Sequence, residues 1–124
     1  MKILVVDDDP VVGTIVNDFL TAHGHSIEVI DSGEKALEKL NKNFEMPDMV
    51  ILDFVMPDMN GIDVLQKIKA QPTTESLPVV MLSANDDTGD LLEEYQFQAD
   101  HYLAKPFSIK KILDVINQIK SSRK

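Results

Sequence analysis

Apolar and polar residues come in blocks along this chain. Three runs carry no polar side chain: Ile3-Leu4-Val5-Val6, Met49-Val50-Ile51-Leu52 and Val79-Val80-Met81-Leu82. Runs of this length, rich in β-branched residues, predict strands buried on both faces, as in a parallel sheet. Two shorter pieces, 27–30 and 102–104, predict further strands. Between the runs the period changes. Val11, Val12, Ile15, Val16, Phe19 and Leu20 recur as one helical stripe. Ala36, Leu37 and Leu40 form a second stripe, and Ile62, Leu65 and Ile68 a third. A weaker helix is predicted over 88–97. Ile109, Ile112, Leu113, Ile116 and Ile119 place a last helix near the end.

Punctuation agrees with the periods. Asp9-Pro10 starts the first helix, with proline where its missing N–H costs nothing. Gly24 is its predicted stop. Ser32 and Ser108 are predicted N-caps. Pro47-Asp48 and Pro78 precede strands, and Gly61 opens the third helix. Strand and helix thus alternate five times, (βα)5, with no internal repeat. Such alternation implies an α/β fold with a parallel sheet covered on both faces and right-handed crossovers. An open, doubly wound sheet fits better than a closed barrel, which needs roughly 200 residues or more. With 124 residues, 1–124 reads as one domain, its polar tail 121–124 being a terminus or the start of a linker.

The chemistry sits where the apolar runs stop. Asp7 and Asp8 follow the first run, Asp53 follows the third strand, Ser83 ends the fourth, and Lys105 follows the last. In an open parallel sheet these ends share one edge, where ligands bind. Carboxylates crowded there either shift their protonation or hold a cation. Two unit charges about 4 Å apart interact by about 4 kcal/mol at an effective dielectric near 20. Oxygen ligands without histidine or cysteine favour Mg2+ or Mn2+ over zinc. Mg2+ takes one or two carboxylates plus phosphate oxygens, so a phosphate-bearing ligand is implied. A metal can align a carboxylate for attack on phosphorus, giving an aspartyl phosphate. Ser83 and Lys105 would offer a hydroxyl and a positive charge to such a group. Singly, each has an ordinary explanation: Asp9 as a helix cap, Ser83 as a turn residue, Lys105 as a surface lysine. Four strand ends supplying acids, a hydroxyl and a lysine together are hard to obtain by accident.

Charge and composition narrow the partners. The formal net charge of −9 argues against direct contact with nucleic acid, whose phosphates are held by clustered lysine and arginine. No apolar stretch approaches the ~20 residues that span a bilayer, and the apolar run after Met1-Lys2 is too short for a signal peptide. Together with the absence of cysteine, this predicts a cytoplasmic protein. From Lys105 to Lys124 there are six bases and one acid, whereas 86–94 carries five acids and no base. This contrast is either two solvated helix faces or a polarised docking or dimer surface.

The Asp7-Asp8 pair, the segment from Asp53 through Met56-Pro57-Asp58 to Gly61, Ser83-Ala84 and the run Tyr102-Leu103-Ala104-Lys105-Pro106-Phe107 resemble the receiver domain of two-component response regulators, of the chemotaxis-regulator kind. The resemblance covers essentially the whole chain. The spacings of 30 residues from Asp53 to Ser83 and 22 from Ser83 to Lys105 suit that family. It implies a flavodoxin-like five-stranded sheet of order 2-1-3-4-5. It implies that Asp53 accepts a phosphoryl group from a sensor histidine kinase or histidine phosphotransfer protein, with Mg2+ as cofactor. Asp8, Asp53 and the Val55 carbonyl would ligate the metal, and Asp7 would act through a metal-bound water. Ser83 and Lys105 would hold the phosphoryl group, and Ser83 with Tyr102 would form the switch. Tyr102 could equally just pack beside Phe107. The family makes the corresponding lysine–proline bond cis, an expectation carried here by Lys105–Pro106. Phosphorylation would then bias the surface of the fourth helix, last strand and last helix, which would meet a protein target, a linked output domain or a second copy. Such a domain is not an enzyme in the turnover sense. The first helix and the loop after the last strand would dock the kinase, with Thr14, Asn17 and Asp18 setting its choice.

Three other readings compete. A haloacid-dehalogenase-like phosphohydrolase needs an acid two residues after its nucleophile. Val55 stands there after Asp53, and an Asp7-x-Asp9 version leaves no room for a cap domain. A flavodoxin-like cofactor binder would place phosphate against Asp7-Asp8-Asp9, which repels it. A receiver-fold interaction module independent of phosphorylation leaves the complete acidic set unexplained. Gln98 and His101 depart from the frequent glycine and acid of the family. Val55 and Asn85 occupy its variable flanking positions. An apolar Val55 cannot orient a water for hydrolysis. The phosphorylated protein is therefore expected to keep its label toward the long end of the family's range, as followed by loss of radiolabel with no phosphatase present. Rapid loss would count against that reading of Val55.

Overall fold

Each predicted strand forms, and the apolar runs set the centres. The strands are β1 (Lys2–Val6), β2 (Ser26–Ile30), β3 (Met49–Asp53), β4 (Val79–Ser83) and β5 (His101–Ala104). The computed structural model describes residues 1–41, 46–53, 61–83, 101–104 and 109–122. All strand pairs are parallel, in the order β2-β1-β3-β4-β5. The helices are α1 (Pro10–Ala22), α2 (Gly33–Asn41), α3 (Gly61–Ala70) and a C-terminal helix (Ile109–Ser122). The predicted helix over 88–97 and the Ser108 cap lie outside the described residues. The C-terminal helix continues to Ser122, two residues into the expected polar tail. A last turn of serine is ordinary where helix ends fray.

Period 2 along β1, β3 and β4 divides the core. Ile3, Val5, Met49, Ile51, Val80 and Leu82 face one side, where Val16 and Leu20 of α1 and Ile112, Ile116 and Ile119 cover them. Leu4, Val6, Val50, Leu52, Val79 and Met81 face the other, beneath Ala36 and Leu40 of α2 and Val64, Leu65 and Ile68 of α3. β3 is buried at all five positions, so Met49 to Leu52 read as an unbroken apolar run and Asp53 ends the strand as a buried acid. Burying one such aliphatic side chain contributes about 1.5–3 kcal/mol, so two aliphatic layers are the main source of stability.

Caps hold the helices to their lengths. Asp9 caps α1, its carboxylate accepting the Val11 N–H, with Pro10 in the first turn. The helix ends in a Schellman motif. His25 N–H donates to the Leu20 carbonyl and Gly24 N–H to the Thr21 carbonyl, both at 3.1 Å. Gly24 has φ 88°, a conformation that favours glycine, as its predicted role as a stop requires. Ser32 accepts the Lys35 N–H at 3.1 Å and starts α2.

The α1 stripe differs from expectation. Val11 is 63% exposed and Ile15 45%, while Gly13 is buried. Six residues at those spacings cover roughly 180° of helix, more than one sheet face can hide. The arc Gly13-Val16-Leu20 wins because glycine lets the helix approach β2. A Cβ built on Gly13 would lie 2.9 Å from Val29 Cγ1. Gly13→Ala is expected to lower stability by about 1 kcal/mol, because overpacking outweighs the roughly 1 kcal/mol alanine gains in a helix. Adding Val29→Ala should recover it, as a double-mutant cycle in urea unfolding would show.

Candidate functional site

A parallel sheet of this order has a switch point between β1 and β3, where successive connections leave in opposite directions. Both strands end in acid there. Val6 pairs with Leu52, so Asp7 and Asp53 stand next to each other as the strands finish. One carboxylate oxygen from each of Asp7, Asp8 and Asp53 lies within 4.8 Å of the others. Asp7 is 2% exposed and Asp53 6%, whereas Asp8 faces solvent. The cluster is therefore a half-open cup with two walled-in acids and one at the mouth.

Local structure aims these groups. Asp7 N–H donates to the Ile30 carbonyl at 3.0 Å, which carries the β1–β2 ladder one residue past the strand. An Asp7 oxygen then accepts the Asp9 N–H at 2.9 Å. Asp53 is the last residue of β3 and pairs with Leu82, one residue short of Ser83. Ser83 in turn pairs with Ala104, the end of β5. The backbone thus brings the acid pair, Asp53, Ser83 and the end of the last strand to one edge on neighbouring strands. Tyr102 lies within β5, paired with Met81. Val55, Lys105 and the Lys105–Pro106 bond lie outside the described residues.

The cup opens into a groove of about 680 Å³ along one flank of α1. Pro10, Gly13, Thr14 and Asn17 form one wall, and Val29, Ile30, Asp31 and Lys35 the other. Asp31 and Lys35, four residues apart across the start of α2, are paired at 3.2 Å. The sequence reading missed both residues. The signal was present, because Asp31 also follows a strand and Lys35 stands four residues on. The opposite flank of α1 carries the exposed Val11 and Ile15. His23 and His25 lie just before β2, at the other end of the sheet from the acids. His23 Nδ1 is 2.9 Å from the Phe19 carbonyl. His25 Nδ1 is 3.2 Å from the Met1 amine, and burial pushes its pKa below the usual histidine range.

The donor set fits a hard divalent cation. Three carboxylates with no nitrogen or sulfur ligand, one of them reachable from solvent, suit an ion that keeps part of its water shell.

Comparison with known proteins agrees with this geometry. The family model described as the response regulator receiver domain matches residues 3–117. The chain is 38% identical over 112 residues to the DNA-binding response regulator MtrA of Mycolicibacterium smegmatis, covering 90% of this chain and 47% of that protein. It spans about half the length of the curated relatives it matches. Among solved structures, the receiver domain of Francisella response regulator 1452 superimposes with a TM-score of 0.86 at 31% identity, covering 99% of this chain and 98% of that one. The receiver domain of the sensor histidine kinase PA1611 of Pseudomonas aeruginosa, solved with a magnesium ion coordinated in its active-site cleft, gives 0.83 at 26% identity, covering 94% of each chain.

Three acids this close repel one another when no cation is held. Asp53→Asn is expected to stabilise the protein in chelator by on the order of 1 kcal/mol. The gain should shrink as Mg2+ is added, because the wild type then gains binding energy that the variant lacks. Thermal unfolding of both proteins with and without the ion checks this.

Proposed function

The chain belongs to the response regulator receiver family of two-component systems, and on that premise we propose that Asp53 is its phosphoacceptor. The observation that carries this is the placement of Asp53 at the end of a fully buried strand, within 4.8 Å of the acid pair. Of the three acids it is the one on the central strand β3, next to the strand that ends in Ser83.

The donor is the phosphohistidine of a sensor histidine kinase or of a histidine phosphotransfer protein. An Asp53 carboxylate oxygen attacks phosphorus, the P–N bond breaks, and the imidazole leaves with a proton. The product is an aspartyl phosphate. Asp8, Asp53 and the Val55 carbonyl would hold Mg2+, with Mn2+ as a substitute, and Asp7 would reach it through water. When bound, the ion supplies positive charge to offset the oxygens of the transferring group. The remaining work falls to the chain. Ser83 donates its hydroxyl to a phosphoryl oxygen, and Lys105 sets its ammonium against another. Burial of Asp7 and Asp53 keeps water from one side of the reacting carboxylate. The protein promotes only its own phosphorylation and dephosphorylation and turns over no other substrate.

Phosphorylation adds negative charge and acceptor oxygens at this edge. Ser83 and Lys105 move toward it, Tyr102 follows inward, and the surface of the predicted fourth helix, β5 and the C-terminal helix is biased to its active arrangement. That surface then engages a protein target, a linked output domain or a second copy of the chain. The kinase docks on α1, the helix that follows the acid pair, where the exposed Val11 and Ile15 leave an apolar strip. Thr14 and Asp18 are exposed on the same helix and contribute to the choice of partner. Residues 1–124 act as one receiver unit, in the cytoplasm. Among the described residues no helix is long and apolar enough to cross a membrane. DNA contact of the kind named for MtrA would belong to a linked half, since this unit has a net charge of −9.

Intact mass measured with acetyl phosphate tests the reading directly. The expected result is a gain of one phosphoryl group that requires Mg2+ and is absent in Asp53→Asn. No gain under any condition would shift the reading to an interaction module that works without phosphorylation.

A further inference from the structure

One residue links the start of α1 to the acid pair, and the phosphotransfer chemistry does not use it. Asp9 stands outside the helix at φ −84°, ψ 111° and makes three contacts with distinct effects. Its carboxylate accepts the Val11 N–H at 2.9 Å. Its carbonyl accepts the Gly13 N–H at 3.1 Å. Its own N–H donates to the Asp7 carboxylate at 2.9 Å. The first two contacts fix the residue to the first turn of α1. They therefore set the direction of the third, which lies on a buried acid of the cup. The same peptide plane joins Asp8 to Asp9, so the backbone from which Asp8 projects is held along with the Asp7 carboxylate.

We propose that Asp9 is a positioning residue for the acid pair, its helix-capping carboxylate holding the Asp8–Asp9 peptide so that Asp7 and Asp8 face the cation together. This rests on the phosphoacceptor reading of Asp53 and its Mg2+ requirement. Groups that orient a ligand from behind commonly change metal affinity 10- to 100-fold when lost. Here the N–H is loosened and not deleted, so the low end applies. Asparagine caps helices as well as aspartate does, and alanine does not. The proposal therefore separates the cap from the charge of Asp9.

The experiment is Mg2+ titration by calorimetry on the wild type, Asp9→Ala, Asp9→Asn and Ser32→Ala, at a temperature where all are folded. Ser32 caps α2 without donating to Asp7, so its variant reports what cap loss does by itself. Both alanine variants should show lower thermal stability in chelator. Asp9→Ala should bind Mg2+ about tenfold more weakly. Asp9→Asn and Ser32→Ala should stay within twofold of the wild type. Phosphorylation of Asp9→Ala by acetyl phosphate should recover as Mg2+ is raised. An Asp9→Ala affinity within twofold of the wild type overturns the proposal alone. Equal losses in Asp9→Ala and Asp9→Asn overturn it in favour of charge, and an equal loss in Ser32→Ala overturns it in favour of general stability. A wild type that binds no Mg2+ overturns this proposal and the phosphoacceptor reading together.

Discussion

A sheet covered on both faces has no place for a carboxylate until its strands end. β1 and β3 lie side by side with helices above and below, and every position from Ile3 to Val6 and from Met49 to Leu52 is buried. Desolvating a charge there would cost far more than one aliphatic contact returns. Asp7 and Asp53 are therefore held to the ends of their strands, and Asp8 to the first exposed position beyond β1. Because all strands are parallel, those positions share an edge. The acidic cup follows from this constraint, and the groove beside α1 and the approach of Ser83 along the same edge follow from it in turn.

The two flanks of α1 serve different ends. Gly13 brings the helix against Val29, which narrows the sheet side and shapes the groove. The same rotation turns Val11 and Ile15 outward. A small residue at one position thus determines both the concave polar flank and the exposed apolar one. Both features meet on one helix, in the first turns after the acids.

Much of this arrangement was legible in the residues. Unbroken apolar runs located β1, β3 and β4 because burial on both faces removes every polar position. The caps at Asp9, Gly24 and Ser32 were legible because each rests on local backbone chemistry. The α1 stripe was misjudged, since periodicity shows which residues are apolar and not which of a wide set the sheet covers. Asp31 and Lys35 were missed for a related reason. Their strand, β2, is an edge strand with a mixed pattern of burial, so its end does not stand out as the end of an apolar run. The strand ends that make the cup were readable because topology, not distance along the chain, brings them together.

The two buried acids also tie the site to the most resistant part of the molecule. Asp7 and Asp53 continue strands that are buried along their length, the kind of segment whose amide groups commonly open to solvent only through global unfolding. A ligand held by them therefore cannot tighten its own surroundings without raising the free energy of global opening by the same amount. Each tenfold of free ligand above its dissociation constant adds about 1.4 kcal/mol to that opening. Occupancy at the sheet edge would be written into the hydrogen-exchange rates of Leu4 and Ile51, buried residues whose side chains lie on opposite faces of the sheet.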